Sequence, residues 1–301
     1  MQGMRKAEIF DVVNGVILTL LFLIILYPLY FVGIASVSSP AAVNSGRVLF
    51  LPKGLTIEGY KFVLQSNEIW TGYANTIFLT IVGTIINLAM TMTGAYALSK
   101  SHLPFIRPVM FLFAFTMFFS GGMIPSYLLI SRTLRMQDSL WALILPGAVS
   151  VYNLILVRTY YRTSIPDEIL QAAKIDGCSE FRSFIFVVLP LSKPIIATMA
   201  LFYGVGHWNQ FFEALIYINS PERFPLQLVL RNLLLQGNNA MTNLISGGMS
   251  AENAKYASEM MQRAEILKYA VIIVSTLPIL VVYPFLQKYF VKGIMAGSLK
   301  G

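Results

Sequence analysis

The sequence predicts an all-α membrane protein. Of its 301 residues, 56% are hydrophobic and 12% are charged, whereas a soluble domain carries about 25% charged residues. Apolar runs recur along the whole chain, and one strongly charged stretch, residues 164–190, interrupts them. Because backbone groups in lipid must bond one another, such runs are expected to be helices. We therefore expect one transmembrane domain over residues 1–301.

Six apolar runs are each longer than the roughly 20 residues that cross a bilayer. The first is too long for a signal peptide core of about 7 to 15 residues. An even number of spans places both termini on the same side of the membrane. The predicted spans are Val12–Ala35, Tyr73–Leu98, Arg107–Ile130, Ser139–Tyr161, Leu191–Ile218 and Leu267–Phe290.

The charged stretch, residues 164–190, is too polar to lie within lipid. Ser164 and Asp167 have the spacing of a helix capping pair. Gly177 is expected to end this helix, because glycine adopts positive φ without strain. A second helix is expected from about Ser179, ending before Pro190. The stretch is thus predicted to form two short helices on one face of the membrane.

The segment QAAKIDG, residues 171–177, resembles the EAA-x-x-x-G signature of bacterial ABC importer permeases. The resemblance implies a type I importer fold with a coupling helix between spans four and five, docked on a cytoplasmic ATPase. It also implies cytoplasmic termini, which the slight bias of Lys and Arg does not establish by itself. A plain amphipathic linker is the alternative. The coupling residues that the family resemblance implies are Glu168, Gln171, Ala172, Ala173, Asp176 and Gly177.

Gln171 departs from the family pattern, which has a glutamate at this position. A neutral amide cannot form the charge-assisted bond that a carboxylate makes with an arginine. We therefore expect a weaker contact with the ATPase at this residue.

Polar and small residues within two spans indicate helix contacts and a break. Residues 75–94 combine asparagine, threonine and glycine, which favours close helix packing; lining of a pore is the alternative. In the third span, Ser120-Gly121-Gly122 and Pro125 are expected to interrupt the helix.

The fifth predicted span carries His207, Asn209, Gln210 and Glu213 within seven positions. Its Trp208-Asn209-x-Phe211 element resembles one found in carbohydrate permeases. Asn209 and Glu213 are expected one turn apart on one helix face. Glu213 either bonds a sugar hydroxyl or pairs with a partner subunit, and both readings stay open. His207 is more typical of packing than of a proton relay.

Residues 219–265 form the longest connection and are expected to be extracellular. They mix polar residues with the apolar run LQLVLRNLLL and a turn within ISGGMSAENA. In maltose-importer permeases the corresponding loop reaches the substrate-binding protein. The resemblance implies the same role for this region.

Several kinds of site have no counterpart in the sequence. It contains no G-x-x-x-x-G-K-[ST] and no H-E-x-x-H motif, and its single cysteine is Cys178. We expect no enzyme activity, cofactor or metal. The net charge of +8 fits lipid headgroups better than nucleic acid.

The leading interpretation is a permease subunit of an ATP-driven sugar or oligosaccharide importer in the cell membrane, similar to the maltose-importer family. The resemblance implies a second permease, two ABC ATPases and an external, lipoprotein-type sugar-binding protein as partners. The alternatives are an ion-driven secondary transporter, an ABC permease for another solute, and a membrane enzyme using His207 and Glu213.

Overall fold

The computed structural model describes residues 2–100, 104–245, 267–281 and 284. These residues form helices and turns without a strand, so the predicted all-α class is confirmed. Short π-helical turns occupy Leu129–Thr133 and Phe184–Val188, and 3₁₀ turns occupy Leu140–Leu143 and Pro221–Arg223. The α-helices are α1 Gln2–Ser36, α2 Pro40–Asn44, α3 Glu58–Gln65, α4 Asn67–Ser99, α5 Ile106–Phe118, α6 Met123–Leu128, α7 Val151–Ser164, α8 Asp167–Ile175, α9 Glu180–Ser183, α10 Leu189–Leu191, α11 Lys193–Trp208, α12 Phe212–Tyr217, α13 Leu226–Ile245 and α14 Leu267–Val281.

The chain divides into two compact units. The first comprises Met1–Ser66 and Leu230–Leu277. Its α1 helix exposes apolar side chains all round: no residue is buried in the most apolar part of Phe10–Ser36. Exposure of such an apolar surface to water is unfavourable, whereas contact with lipid is favourable. Near its end, the ring of Phe31 meets Tyr269 edge to face at 6.0 Å.

The second unit comprises Asn67–Val229 and Pro278–Gly301, and it is built around α4. The α4 helix packs against α7 and α11. Apart from the adjacent pair Thr91 and Met92, its buried positions recur every three or four residues, which produces one continuous packing stripe. That stripe consists of Ile69, Gly72, Thr76, Leu79, Gly83, Asn87, Thr91, Met92 and Ala95.

The membrane spans are less regular than the sequence predicted. Phe10–Ser36 and Asn67–Ser99 are each long and apolar enough to cross a bilayer. Two helix pairs would each supply one more span, giving up to four among the described residues: Ile106–Phe118 with Met123–Thr133, bent by 108°, and Glu180–Leu191 with Lys193–Trp208, bent by 82°. The break in the third span is confirmed, and it contains Gly122 at φ +86°.

The fourth predicted span, Ser139–Tyr161, is wrong as a continuous helix. Only Leu140–Leu143 and the part from Val151 onward are helical. Pro146 and Gly147 lie in the interruption, where proline removes a backbone donor. Ser150 then starts α7 by accepting a hydrogen bond from the Asn153 N–H. Of the sixth predicted span, residues 282, 283 and 285–290 lie outside the described residues.

The charged stretch forms two helices, but the ends of these helices differ from those predicted. Ser164 closes α7, and Pro166 precedes α8 without a side-chain cap, so the predicted capping pair is wrong. The helical segment that starts at Glu180 runs past Pro190 and bends only at Ser192. A π-helical turn just before Pro190 accommodates the missing N–H of the proline. Gly177 has φ +77°, as predicted.

The connection after residue 219 is partly helical. The 20-residue helix α13 occupies Leu226–Ile245. Its apolar residues recur at helical spacing, and Leu226, Leu228, Val229 and Leu230 are buried. The predicted turn within ISGGMSAENA lies almost wholly outside the described residues.

Candidate functional site

Asn87 joins three separate segments in the middle of the second unit. Its side chain is fully buried. The amide nitrogen donates to the carbonyls of Gly147 at 2.7 Å and Ala148 at 2.9 Å. Its oxygen lies 2.7 Å from His207 Nε2. Asn87 thus donates hydrogen bonds to two backbone carbonyls that have no helical partner, because the chain is not helical just before α7.

His207 packs directly against Gly83 of α4. A Cβ atom at position 83 would lie 2.4 Å from His207 Nε2, too close for any side chain. The neighbouring polar contact joins Thr91 Oγ1 to Tyr203 OH at 2.7 Å. These contacts show helix packing at Gly83, Asn87 and Thr91, the first of the two readings of this span.

A cavity of about 430 Å³ lies beside this hydrogen-bonded group. We call it the polar cavity. Asn209 and Glu213 both line it, together with amide, hydroxyl and aromatic groups that sequence reasoning did not connect. The further lining residues are Asn87, Leu143, Gly147, Ser150, Asn153, Phe202, Tyr203, Gly206, His207, Gln210, Phe211 and Phe212.

Asn209 and Glu213 reach the polar cavity from different helices. The α11 helix ends at Trp208 and α12 begins at Phe212, so their expected placement on one helix face is wrong. The Asn209 side chain donates to the Val205 carbonyl at 3.0 Å, and Gln210 Nε2 donates to the Leu143 carbonyl at 3.1 Å. Amide side chains that bond nearby carbonyls compete with helix continuation.

The polar cavity offers neutral hydrogen-bonding groups and one charge. Among the described residues that line it, Glu213 is the only Asp, Glu, Lys or Arg. Amides, hydroxyls and a carboxylate bond hydroxyl groups, and exposed rings at Phe211 and Phe212 present flat apolar faces. This combination suits a polyhydroxylated ligand. Among the described residues, no three His, Cys, Asp or Glu side chains are grouped to hold a metal ion.

A second candidate region is formed by α8, the turn at Gly177 and α9, which we call the coupling knob (residues 167–183). Five of the six predicted coupling residues are exposed, and the sixth, Ala173, is 7% exposed. The turn closes with the Cys178 N–H bonded to the Ala173 carbonyl at 2.9 Å. This arrangement caps the end of α8 through a positive-φ glycine.

A third polar group, which sequence reasoning missed, surrounds Asp138. Its carboxylate accepts hydrogen bonds from the N–H groups of Asn219 at 3.0 Å and Ser220 at 2.9 Å, and from the Ser220 hydroxyl at 2.6 Å. Arg223 Nη1 lies 3.1 Å away. The hydrogen bonds from Ser220 are the main reason that the pKa of Asp138 falls to about 2.

Comparison with known proteins identifies the family. Residues 94–296 match the family model described as binding-protein-dependent transport system inner membrane component. The chain is 41% identical over 301 residues to protein LplC of Bacillus subtilis (strain 168), covering 100% of this chain and 98% of the relative. It is 36% identical over 296 residues to the polygalacturonan/rhamnogalacturonan transport system permease protein YtcP of the same organism, covering 98% and 100%.

A solved structure agrees with these relatives. The fold is similar to a chain in the crystal structure of a bacterial ABC transporter involved in the import of the acidic polysaccharide alginate. The TM-score is 0.81 at 35% identity, and the match covers 95% of this chain and 98% of the other. The family match covers the coupling knob and, apart from Asn87, the residues that line the polar cavity. The chain therefore belongs to the family of binding-protein-dependent transport system inner membrane components.

Proposed function

We propose that this chain is a permease subunit of an ATP-driven importer that moves a sugar or oligosaccharide into the cell. Its relatives include permeases named for the transport of arabinooligosaccharides and galactooligosaccharides. The observation that carries the proposal is the exposure of α8: a short helix that presents its EAA-like residues outward matches what an ATPase groove requires.

The coupling knob is the proposed ATPase contact. Glu168, Gln171, Ala172 and Asp176 are exposed and available to a partner, while buried Ala173 seats the helix on its own chain. Gly177 allows the chain to reverse its direction between α8 and α9. Gln171 contributes an uncharged hydrogen bond at the position where the family has a glutamate.

The polar cavity is the proposed section of the substrate route. Asn209 and Glu213 enter it from the two sides of the break between α11 and α12. Both side chains are exposed there and can bond sugar hydroxyls. A break of this kind within a membrane suits a segment that lines a cavity.

The assembly that this function requires contains further subunits. It comprises a second homologous permease, two ABC ATPases and an external lipoprotein-type sugar-binding protein, with both termini of this chain in the cytoplasm. Residues 219–265 then lie outside and face the binding protein. ATP hydrolysis belongs to the partner subunits, since the sequence has no P-loop. Alternating access follows when ATP binding moves the coupling knob.

Purification of the tagged chain from membranes tests this function. An ATPase with a P-loop should copurify, and Ala172→Arg should abolish its recovery because a long charged side chain obstructs the docked surface. The matched control is Ala41→Arg, at another exposed alanine outside the predicted spans. Absence of any ATPase from the unmodified complex would overturn the function. Full recovery with Ala172→Arg would overturn the coupling assignment alone.

A further inference from the structure

Glu180 connects the coupling knob to the end of α4. Its Oε2 atom accepts a hydrogen bond from Tyr96 OH at 2.8 Å and lies 2.9 Å from Lys100 Nζ. Its Oε1 atom lies 3.0 Å from Lys174 Nζ. One carboxylate thus binds two residues at the end of the second predicted span and one residue in the last turn of α8.

Of the two lysines that pair with Glu180, whose own side chain is 49% exposed, Lys100 is the more buried. The Lys100 side chain is 13% exposed, and its Nζ lies 4.4 Å from the centroid of the Tyr96 ring. Lys174 is 56% exposed, so its ion pair alone contributes little. A largely buried ammonium depends on its anion much more, because removal of the partner leaves that charge uncompensated.

Outside these polar contacts the coupling knob has a small apolar anchor, in which Leu170 packs against the buried cluster that contains Tyr161 and Phe184. Within α8 only Ala173 is buried, and Ile175 is 86% exposed. A groove of about 330 Å³ separates part of α8 from the ends of α4 and α7. Lys100 and Lys174 both line this groove, and Glu180 bridges the two.

We propose that Glu180 is a positioning residue that fixes the coupling knob against the end of α4. Motion of the ATPase then reaches α4 directly as well as through the chain that continues into α11. Without the carboxylate, Lys100 and Lys174 lose the anion that joins them, and the bridge between α8 and the end of α4 is lost. This inference rests on the proposed function, and it concerns a residue outside the EAA-like segment.

Spin labels on the full-length chain in nanodiscs test the position of the knob directly. Labels at Ala97→Cys and Ile175→Cys, both exposed, report the distance from α4 to α8 in a Cys178→Ser background. Glu180→Gln should broaden this distance distribution. The matched control is Glu58→Gln, which removes an exposed glutamate that is likewise the first residue of its helix. An equally narrow distribution with Glu180→Gln, or equal broadening with Glu58→Gln, would overturn the proposal.

ATP hydrolysis of the copurified complex supplies the functional measurement. Glu180→Gln should lower the stimulation of hydrolysis by the sugar-loaded binding protein about three- to thirty-fold, the range for residues that transmit coupling. The ATPase itself should still copurify. The paired change Lys100→Glu with Glu180→Lys should recover part of the stimulation. Unchanged stimulation in Glu180→Gln, with the ATPase bound, would refute the positioning role while leaving the proposed function intact.

Discussion

At the scale of single residues, the contact between Gly83 and His207 sets the distance between α4 and α11. A Cβ atom at position 83 would lie 2.4 Å from His207 Nε2 and 2.6 Å from Cε1. The ring is also held by Asn87 at 2.7 Å, so it cannot move away freely. Glycine is required here by space, since its neighbours leave no room for a side chain.

Gly83→Ala should therefore destabilise the protein by about 1–3 kcal/mol through overpacking. The melting temperature of the purified complex measures the effect. Gly204→Ala is the control, because its added methyl group would make only an ordinary contact, at 3.7 Å from Thr84 Oγ1. Equal melting temperatures for the two variants would contradict the contact.

Asp138 is expected to make stability depend on acid pH. Its pKa of about 2 lies below the ordinary value of about 3.9, so the carboxylate stabilises the fold above pH of about 4. This contribution is lost as pH falls through about 2. Asp138→Asn keeps a residue that tolerates φ +57° but removes the charge. Its melting temperature should be lower at neutral pH and should change less than that of the unmodified protein between pH of about 5 and about 3. Parallel curves would argue against the role of this carboxylate.

At the scale of elements, the turn at Gly177 determines how α8 reverses into α9. Its φ of +77° is strained for a residue with a Cβ atom, although no neighbour lies within 4 Å of that atom. Gly177→Val should cost about 1–3 kcal/mol locally, from backbone strain alone. We expect insertion to continue while ATPase stimulation collapses.

Gly177→Asn tests backbone strain as the cause, because asparagine adopts positive φ more readily than other residues. It should retain most of the stimulation that Gly177→Val loses. Full stimulation with valine, measured as hydrolysis by the assembled complex, would show that the turn is not needed for coupling.

At the scale of the whole molecule, the charge of Glu213 distinguishes a substrate route from a subunit contact. Glu213→Gln keeps the shape and removes the only formal charge among the described side chains that line the polar cavity. We expect an intact complex whose half-saturating sugar concentration rises about five-fold, the loss of roughly 1 kcal/mol from a charge-assisted bond. Uptake of labelled oligosaccharides by cells measures it.

The control for this change is Glu68→Gln, at another exposed glutamate that does not line the polar cavity. It should leave uptake unaltered. Separation of the two permeases on Glu213→Gln, with residual uptake of unchanged affinity, would assign Glu213 to the subunit interface instead.

The sequence alone determined the features that depend on local chemistry. Its apolar runs and scarcity of charge predicted an all-helical membrane protein. The break at Gly122 and the positive φ of Gly177 followed from glycine and proline at those positions. The QAAKIDG segment indicated the family that the comparisons then showed. Each of these features is encoded by residues that are close together in the chain.

The tertiary structure decided the features that depend on distant residues. Asn87 meets Gly147 and His207, which lie 60 and 120 positions further along the chain. Asp138 and Ser220 are 82 positions apart, and Tyr96 and Glu180 are 84 apart. Likewise, the end of α11 at Trp208 follows from side-chain amides that find carbonyl partners, one of them on Leu143. Periodicity describes which face of a helix is apolar, but hydrogen bonds between polar groups form only after packing has brought their segments together.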